Sequence, residues 1–330
     1  MIITRTPFRI SFFGGGTDFP AFYNEHGGSV LSTTINKYCY IISRNMPPFF
    51  DYKYRIRYTL REETVSIDEI KHPVVREVLR KFQYPKGLEM VHTSDIPAMS
   101  GIGSSSAFTV GFLHGMYALQ GKIITKRQLA LDAVEIEQGI LRENVGSQDQ
   151  IATAFGGFNR IDFKQDGTFY VSPMTIPAAR LNELEGSLML FFTGFTRFSS
   201  EIAEDQVKSI PANVKNLLEM KSLVDNAIDI LNGNAPMTDF GKLLHETWLL
   251  KKSLSLSIST SFIEDAYNRA VAAGAEGGKI LGAGGGGFML MYVEPEKQAT
   301  VKAALSDLLH VPFSFEMLGS QIIMYSTIEY

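Results

Sequence analysis

Cysteine is almost absent from this chain. The single copy among 330 residues, Cys39, rules out an internal disulfide and a cysteine-built zinc site. Any block of basic charge is missing too. The 31 Lys and Arg against 35 Asp and Glu leave a net charge of −4, which argues against electrostatic capture of nucleic acid. No apolar run approaches the roughly 18–20 residues of a membrane span; the longest are Phe288–Val293 and Leu188–Phe192. The opening MIITRTPFRI has no apolar core of the kind a signal peptide carries. A cytoplasmic protein with neither nucleic-acid nor membrane partners is therefore expected. The six histidines show no metal-ligand spacing.

Familiar nucleotide signatures are also lacking. GxxxxGK[ST] does not occur, because the Gly-Lys pairs at 121–122, 241–242 and 278–279 are each followed by Ile or Leu. The HRD element of protein kinases is missing. Gly282-Ala-Gly284-Gly-Gly-Gly287 matches GxGxxG, yet the strand-like run Phe288–Val293 follows it where a dinucleotide fingerprint needs a helix.

What the chain does have is apolar residues, 45%, and clustered glycine. The length corresponds to about two domains at roughly 150 residues each. The 29 glycines gather at 14–16, 101–103, 156–157 and 282–287, where a ligand can come close to main-chain N–H groups. Phe8–Phe13 reads as a strand entering a glycine loop, and Ser29–Ser43 as a long strand. Helices are expected at Ser104–Leu119, stopped near Gly121, and at Lys126–Glu143, Ile202–Leu231, Met237–Leu254 and Ser261–Ala273. Strands and helices mix without βαβ regularity, which points to an α+β fold, with a boundary near residues 172–185.

Ser94–Ala107 is the most informative stretch. Gly101 and Gly103 stand directly before three serines and a helix. A helix start offers about four free N–H groups and roughly half a positive charge, so a polyphosphate fits there. The serine hydroxyls cap the helix, bind phosphate or ligate Mg²⁺. On the next helix, Glu137 falls roughly 80° from the centre of the apolar stripe Leu129, Ala133, Ile136, Ile140, and Glu135 roughly 120° away toward solvent, at about 100° per residue. Glu137 is thus the better buried-site ligand. Asp149 sits in a polar loop, where a carboxylate by itself reads first as a cap for the next helix, and Asp18 has the same ambiguity. Arg9, inside an apolar strand, calls for a carboxylate or phosphate partner.

Together these stretches resemble the GHMP kinase superfamily. Three of its motifs look present in order: Thr6–Asp18, Pro97–Ala107 (PAMSGIGSSSA) and Lys279–Phe288. The resemblance implies a ribosomal-S5-like N-terminal domain over residues 1–175 and a ferredoxin-like C-terminal domain over 176–330. It also implies ATP and Mg²⁺, with Asp149 as catalytic base assisted by Arg9, and Ser105 and Glu137 holding the metal. Pro97, Ser100, Gly101, Ile102, Gly103, Ser104, Ser105, Ser106 and Ala107 would wrap the ATP phosphates. Gly15, Gly16, Thr17 and Asp18 would meet the sugar, and Gly284, Gly285 and Gly286 would close the site. Gly15 and Gly16 stand where galactokinases carry an acidic residue and a histidine. The stretches Gly14–Asp18, Ile35–Tyr38, Glu143–Gln150 and His245–Lys252 look closest to the D-glycero-D-manno-heptose 7-phosphate kinases, with the kinase domain of L-fucokinase similar. The implied acceptor is a sugar phosphate, phosphorylated at its anomeric hydroxyl on the way to activated heptose for bacterial surface polysaccharide. Its phosphate needs cations, for which Thr196-Arg197, Lys251 and Lys252 are candidates. A non-catalytic sugar sensor is disfavoured because Arg9, Ser105, Glu137 and Asp149 are all present. A homodimer is left open.

Overall fold

Residues 2–6 alternate between buried and half-buried positions, and from Thr6 to Phe13 every residue is buried. That pattern makes a strand that starts near a sheet surface and runs into the core. The computed structural model describes residues 1–194 and 199–326. Thr196 and Arg197 lie outside them. The elements are, in order, β1 (Ile2–Phe13), α1 (Pro20–His26), β2 (Gly28–Asn45), β3 (Tyr54–Arg57), β4 (Arg61–Thr64), α2 (Pro73–Lys81), β5 (Leu88–Ser94), α3 (Ser104–Leu119) and α4 (Lys126–Val134). A π-helical turn, Glu135–Ile140, continues α4. There follow α5 (Gln148–Phe155), β6 (Phe158–Phe163), β7 (Phe169–Pro173), α6 (Ala178–Gly186), β8 (Leu188–Gly194), α7 (Ser199–Asn232), α8 (Thr238–Leu254) and α9 (Ser261–Ala272). The chain finishes with β9 (Gly277–Ile280), β10 (Gly287–Tyr292), α10 (Gln298–Ala304), β11 (Leu309–His310), β12 (Phe315–Glu316) and β13 (Gln321–Tyr325).

Two sheets organise these elements. A nine-stranded sheet runs β13-β1-β2-β5-β3-β4, with β12 and β6 also on β2 and β7 on β6. The other has four strands, β11-β8-β10-β9, all antiparallel. α3 is apolar almost all round, with Phe108, Phe112, Leu113 and Met116 buried, as a helix must be when it lies inside a core. It packs on β1 and β2. One continuous core joins Phe12 and Phe13 of the first sheet to Phe240 of α8 and Leu290 of β10.

The expected division at residue 175 does not describe two separate lengths of chain. β13 returns to pair with β1, Ile2 opposite Tyr325, and β12 pairs with β2, Phe315 opposite Ile35. The first sheet is therefore built from strands on both sides of residue 175. Among the described residues no helix is long and apolar enough to cross a membrane.

Candidate active site

The glycine-serine stretch forms the turn into α3. Gly101 and Gly103 take φ of +81° and +75°, angles at which a Cβ is unfavourable. The N-cap of α3 is Gly103, which has no side chain to occupy the first-turn N–H groups. The loop hydroxyls are used locally: Ser100 donates to the Pro97 carbonyl (2.8 Å), and Ser104 accepts from the Met99 N–H (3.1 Å). Ile102 is buried, and its carbonyl accepts from the Arg9 N–H at 3.0 Å, which fastens the loop to β1.

Arg9 supplies the link to the acid. It is 3% exposed, and its guanidinium grips Asp149 with both ends, Nε to Oδ1 at 2.7 Å and Nη2 to Oδ2 at 2.8 Å. Its remaining arm donates to the Gly101 carbonyl at 2.7 Å. A bidentate pair of this kind fixes direction as well as distance. Asp149 stands in the first turn of α5 rather than in a loop. Its Oδ2 lies 3.5 Å from where a Cβ on Gly103 would sit, so the carboxylate is held at the amino end of α3.

Glu137 is buried more deeply than helical geometry predicts. The π-helical turn adds a residue to the local circuit and rotates Glu137 from the stripe edge to the interior, where it is 0% exposed. Its Oε2 accepts from the Ser106 hydroxyl (2.9 Å) and from the Gln150 amide, while Oε1 is buried without a partner. Burial, opposed by hydrogen bonds, pushes this carboxyl up to about 7. The hydroxyl beside Glu137 belongs to Ser106; Ser105, expected there, is exposed because one residue turns the helix by about 100°.

A cleft of about 140 Å³ opens next to these groups; Arg9, Ser11, Gly15, Gly16, Asp18, Ser106, Gln148 and Asp149 line it together with Lys251, Lys279, Gly282 and Ala283 from later in the chain. Asp18 accepts from the N–H groups of Gly16 (2.9 Å) and Gln148 (3.3 Å); burial and the charge of Asp149 raise it to about 6. Thr17 does not face the cleft. Its hydroxyl bonds the Gly14 and Ser29 carbonyls and accepts from the Ser29 N–H, so it holds the loop together. Gly284, Gly285 and Gly286 are also outside the lining; the Gly285 N–H is bonded to the Ile258 carbonyl. Gly282 reaches the glycine-serine turn instead. A Cβ there would stand 2.5 Å from Gly101 Cα, a separation only two glycines allow.

Of the candidate cations, Lys252 pairs with Glu264 at 3.0 Å and lies over the Trp248 ring, away from the cleft. Lys251 turns inward, donating to the Ile280 (2.9 Å) and Gly282 carbonyls. Burial and the nearby Arg9 press its amino group down to about 7, against the pull of Asp18. An unfolded chain carries that charge up to about pH 10.5. Folding therefore releases a proton between pH 7 and 10.5, and stability rises across that window. Removing the amine removes the slope. Thermal melts of ligand-free Lys251→Met are expected to compare more favourably with the unaltered protein at pH 7 than at pH 10; the opposite trend would contradict the buried charge.

The sequence alone does not single out Ser11, Gln148 or Lys279. Ser11 Oγ and Gln148 Oε1 are buried polar atoms without partners in the same cleft. Their signal was available in part: Ser11 is the polar position of an apolar strand, and Gln148 directly precedes Asp149.

Comparison with known proteins identifies the family. A family model described as the GHMP kinases N terminal domain matches residues 69–157, and one described as GHMP kinases C terminal matches residues 234–310. The chain is 32% identical over 315 residues to D-glycero-alpha-D-manno-heptose 7-phosphate kinase of Campylobacter jejuni, covering 92% of this chain and 93% of that one. It is 26% identical to L-fucokinase/L-fucose-1-P guanylyltransferase of Bacteroides fragilis, over 90% of this chain but 35% of that protein. Among solved structures, a D-glycero-D-manno-heptose 1-phosphate kinase from Bacteroides thetaiotaomicron superposes with a TM-score of 0.73 at 26% identity, covering 99% of this chain and all of that one.

Proposed function

The chain belongs to the GHMP kinase family, and from that premise we propose that it phosphorylates the anomeric hydroxyl of D-glycero-D-manno-heptose 7-phosphate with ATP. The observation that carries this reading is the Arg9–Asp149 pair held against the amino end of α3. An acceptor hydroxyl beside Asp149 faces a γ-phosphoryl group cradled by the α3 N–H groups. As the new O–P bond forms, the bond to the bridging oxygen of ADP breaks, and the hydroxyl proton passes to the Asp149 carboxylate. The helix amides stabilise charge as it moves. Asp18, Ser11 and Gln148 orient the sugar hydroxyls.

Magnesium fits the chemistry of the remaining groups. Glu137 Oε1 is a buried carboxylate oxygen without a partner, and the Ser106 hydroxyl adjoins it, so both are hard oxygen donors of the kind this ion takes. Glu137 and Ser106 would hold the ion, which when bound neutralises charge on the β- and γ-phosphates. The product, heptose 1,7-bisphosphate, would feed nucleotide-activated heptose synthesis for bacterial surface polysaccharide in the cytoplasm.

A phosphorylated heptose is favoured over L-fucose because two amino groups, Lys251 and Lys279, line the cleft alongside Arg9. An ADP-release screen with Mg-ATP and heptose 7-phosphate, L-fucose, galactose, mannose and mevalonate tests the choice. Heptose 7-phosphate is expected to give the highest kcat/KM; a higher value with L-fucose would replace this reading with a fucokinase.

A further inference from the structure

Two amino groups in the cleft have no acid to pair with. Lys251 of α8 and Lys279 of β9 are 7% and 3% exposed, and among the described residues neither forms an ion pair. Lys251 donates to the Ile280 and Gly282 carbonyls, and Lys279 to the Phe12 carbonyl at 2.8 Å. An ammonium group carries three donors, which leaves one on Lys251 and two on Lys279. Burying an ammonium against neutral carbonyls alone is costly, and such groups are ordinarily paired. Arg9, equally buried, has Asp149. The lysines have only the open volume of the cleft in front of them.

Their neighbours indicate what arrives there. Burial presses both amino groups below the ordinary lysine value, Arg9 adds to it for both and Lys251 for Lys279, and Asp18 opposes it. They line the same cleft as Asp18 and the unpartnered Ser11 Oγ and Gln148 Oε1, while Ser106 of that lining is tied to Glu137. A ligand spanning the cleft thus meets hydroxyl-directed groups and a pair of cations. That pattern matches a sugar bearing a dianion.

We propose that Lys251 and Lys279 form the subsite for the phosphate group that the acceptor already carries, and so select a sugar phosphate over the free sugar. The proposal rests on the kinase reading for its choice of acceptor, though the anion subsite is measurable without turnover. Lys279 is the new element: it opens the Lys279–Phe288 stretch, in which the sequence alone points only to glycines.

Lys251→Met and Lys279→Met remove the charge at nearly constant length. KM for heptose 7-phosphate is expected to rise roughly 10–100-fold in each, the worth of one charge-assisted hydrogen bond. KM for unphosphorylated heptose and for ATP would change by less than about 3-fold. Separately, inorganic phosphate is titrated calorimetrically with Mg-ADP at saturation, so that the nucleotide loop is occupied. Binding to the unaltered protein and its loss in both variants supports the subsite. No binding to the unaltered protein, equal binding to the variants, or a rise confined to the KM for ATP would overturn it. Should Lys279→Met fail to fold, Lys279→Gln keeps a donor for Phe12 and is read the same way. Absence of turnover with every acceptor would count against the kinase reading alone, because the phosphate titration still decides the subsite.

Discussion

Asp149→Asn is expected to bind Mg-ATP within about threefold of the unaltered affinity and to turn over roughly 10²–10⁴-fold more slowly, the range for losing a positioned general base. The reason is local. Asparagine keeps an oxygen for Arg9 but replaces the other with an NH₂ that faces Nη2 of the same guanidinium. Arg9 retains its bond to the Gly101 carbonyl, so the phosphate loop stays fastened to β1. What disappears is the acceptor for the hydroxyl proton. A fall in kcat with KM for ATP unchanged separates that role from a structural one. Near-normal turnover would remove Asp149 from the chemistry, and loss of ATP binding would make its ion pair a scaffold only.

Gly101→Ala carries the second large effect. The residue sits at φ +81°, where a Cβ costs roughly 1–2 kcal/mol. The added carbon would also meet the Leu281 carbonyl oxygen at 2.6 Å, and backbone there cannot swing aside as a side chain would. Either the phosphate loop or the Leu281–Gly282 segment must move. A displacement of about 1 Å in a positioning group costs on the order of 10²-fold in rate. Melting several degrees lower, together with kcat/KM for ATP reduced roughly 100-fold, is the expected outcome of a melt and an ATP titration. A variant that melts and turns over normally would show that the seam between the two sheets is loose.

The glycine-serine turn and α3 were legible because their chemistry is written in adjacent residues: two glycines, three serines and an apolar run. Arg9 was legible as a buried cation in need of an acid, though its partner 140 positions away was not derivable from spacing. Glu137 was found on a helical wheel, but the π-helical turn that buries it has no signature in Glu135–Ile140 that periodicity detects. The expected metal partner of Glu137, Ser105, is off by one residue, because which serine faces Glu137 turns on where the helix starts; the contact goes to Ser106. Thr17 looked like a sugar ligand, yet a threonine in a glycine loop also satisfies backbone, and here it does so completely. Lys279 was invisible for a different reason. A lysine in a short apolar strand points wherever the pairing of that strand sends it, and only β9 against β10 determines that. The return of β12 and β13 to the first sheet is likewise a long-range pairing that local sequence does not encode.

The central claim is phosphoryl transfer to an anomeric oxygen at the amino end of α3. Phosphorus-31 NMR of the product from Mg-ATP and D-glycero-D-manno-heptose 7-phosphate tests it most directly. The account predicts one new resonance coupled to the anomeric proton, growing in step with ADP while the 7-phosphate signal persists. ADP formed with the new phosphate on any other carbon, or no new phosphate ester at all, would contradict it.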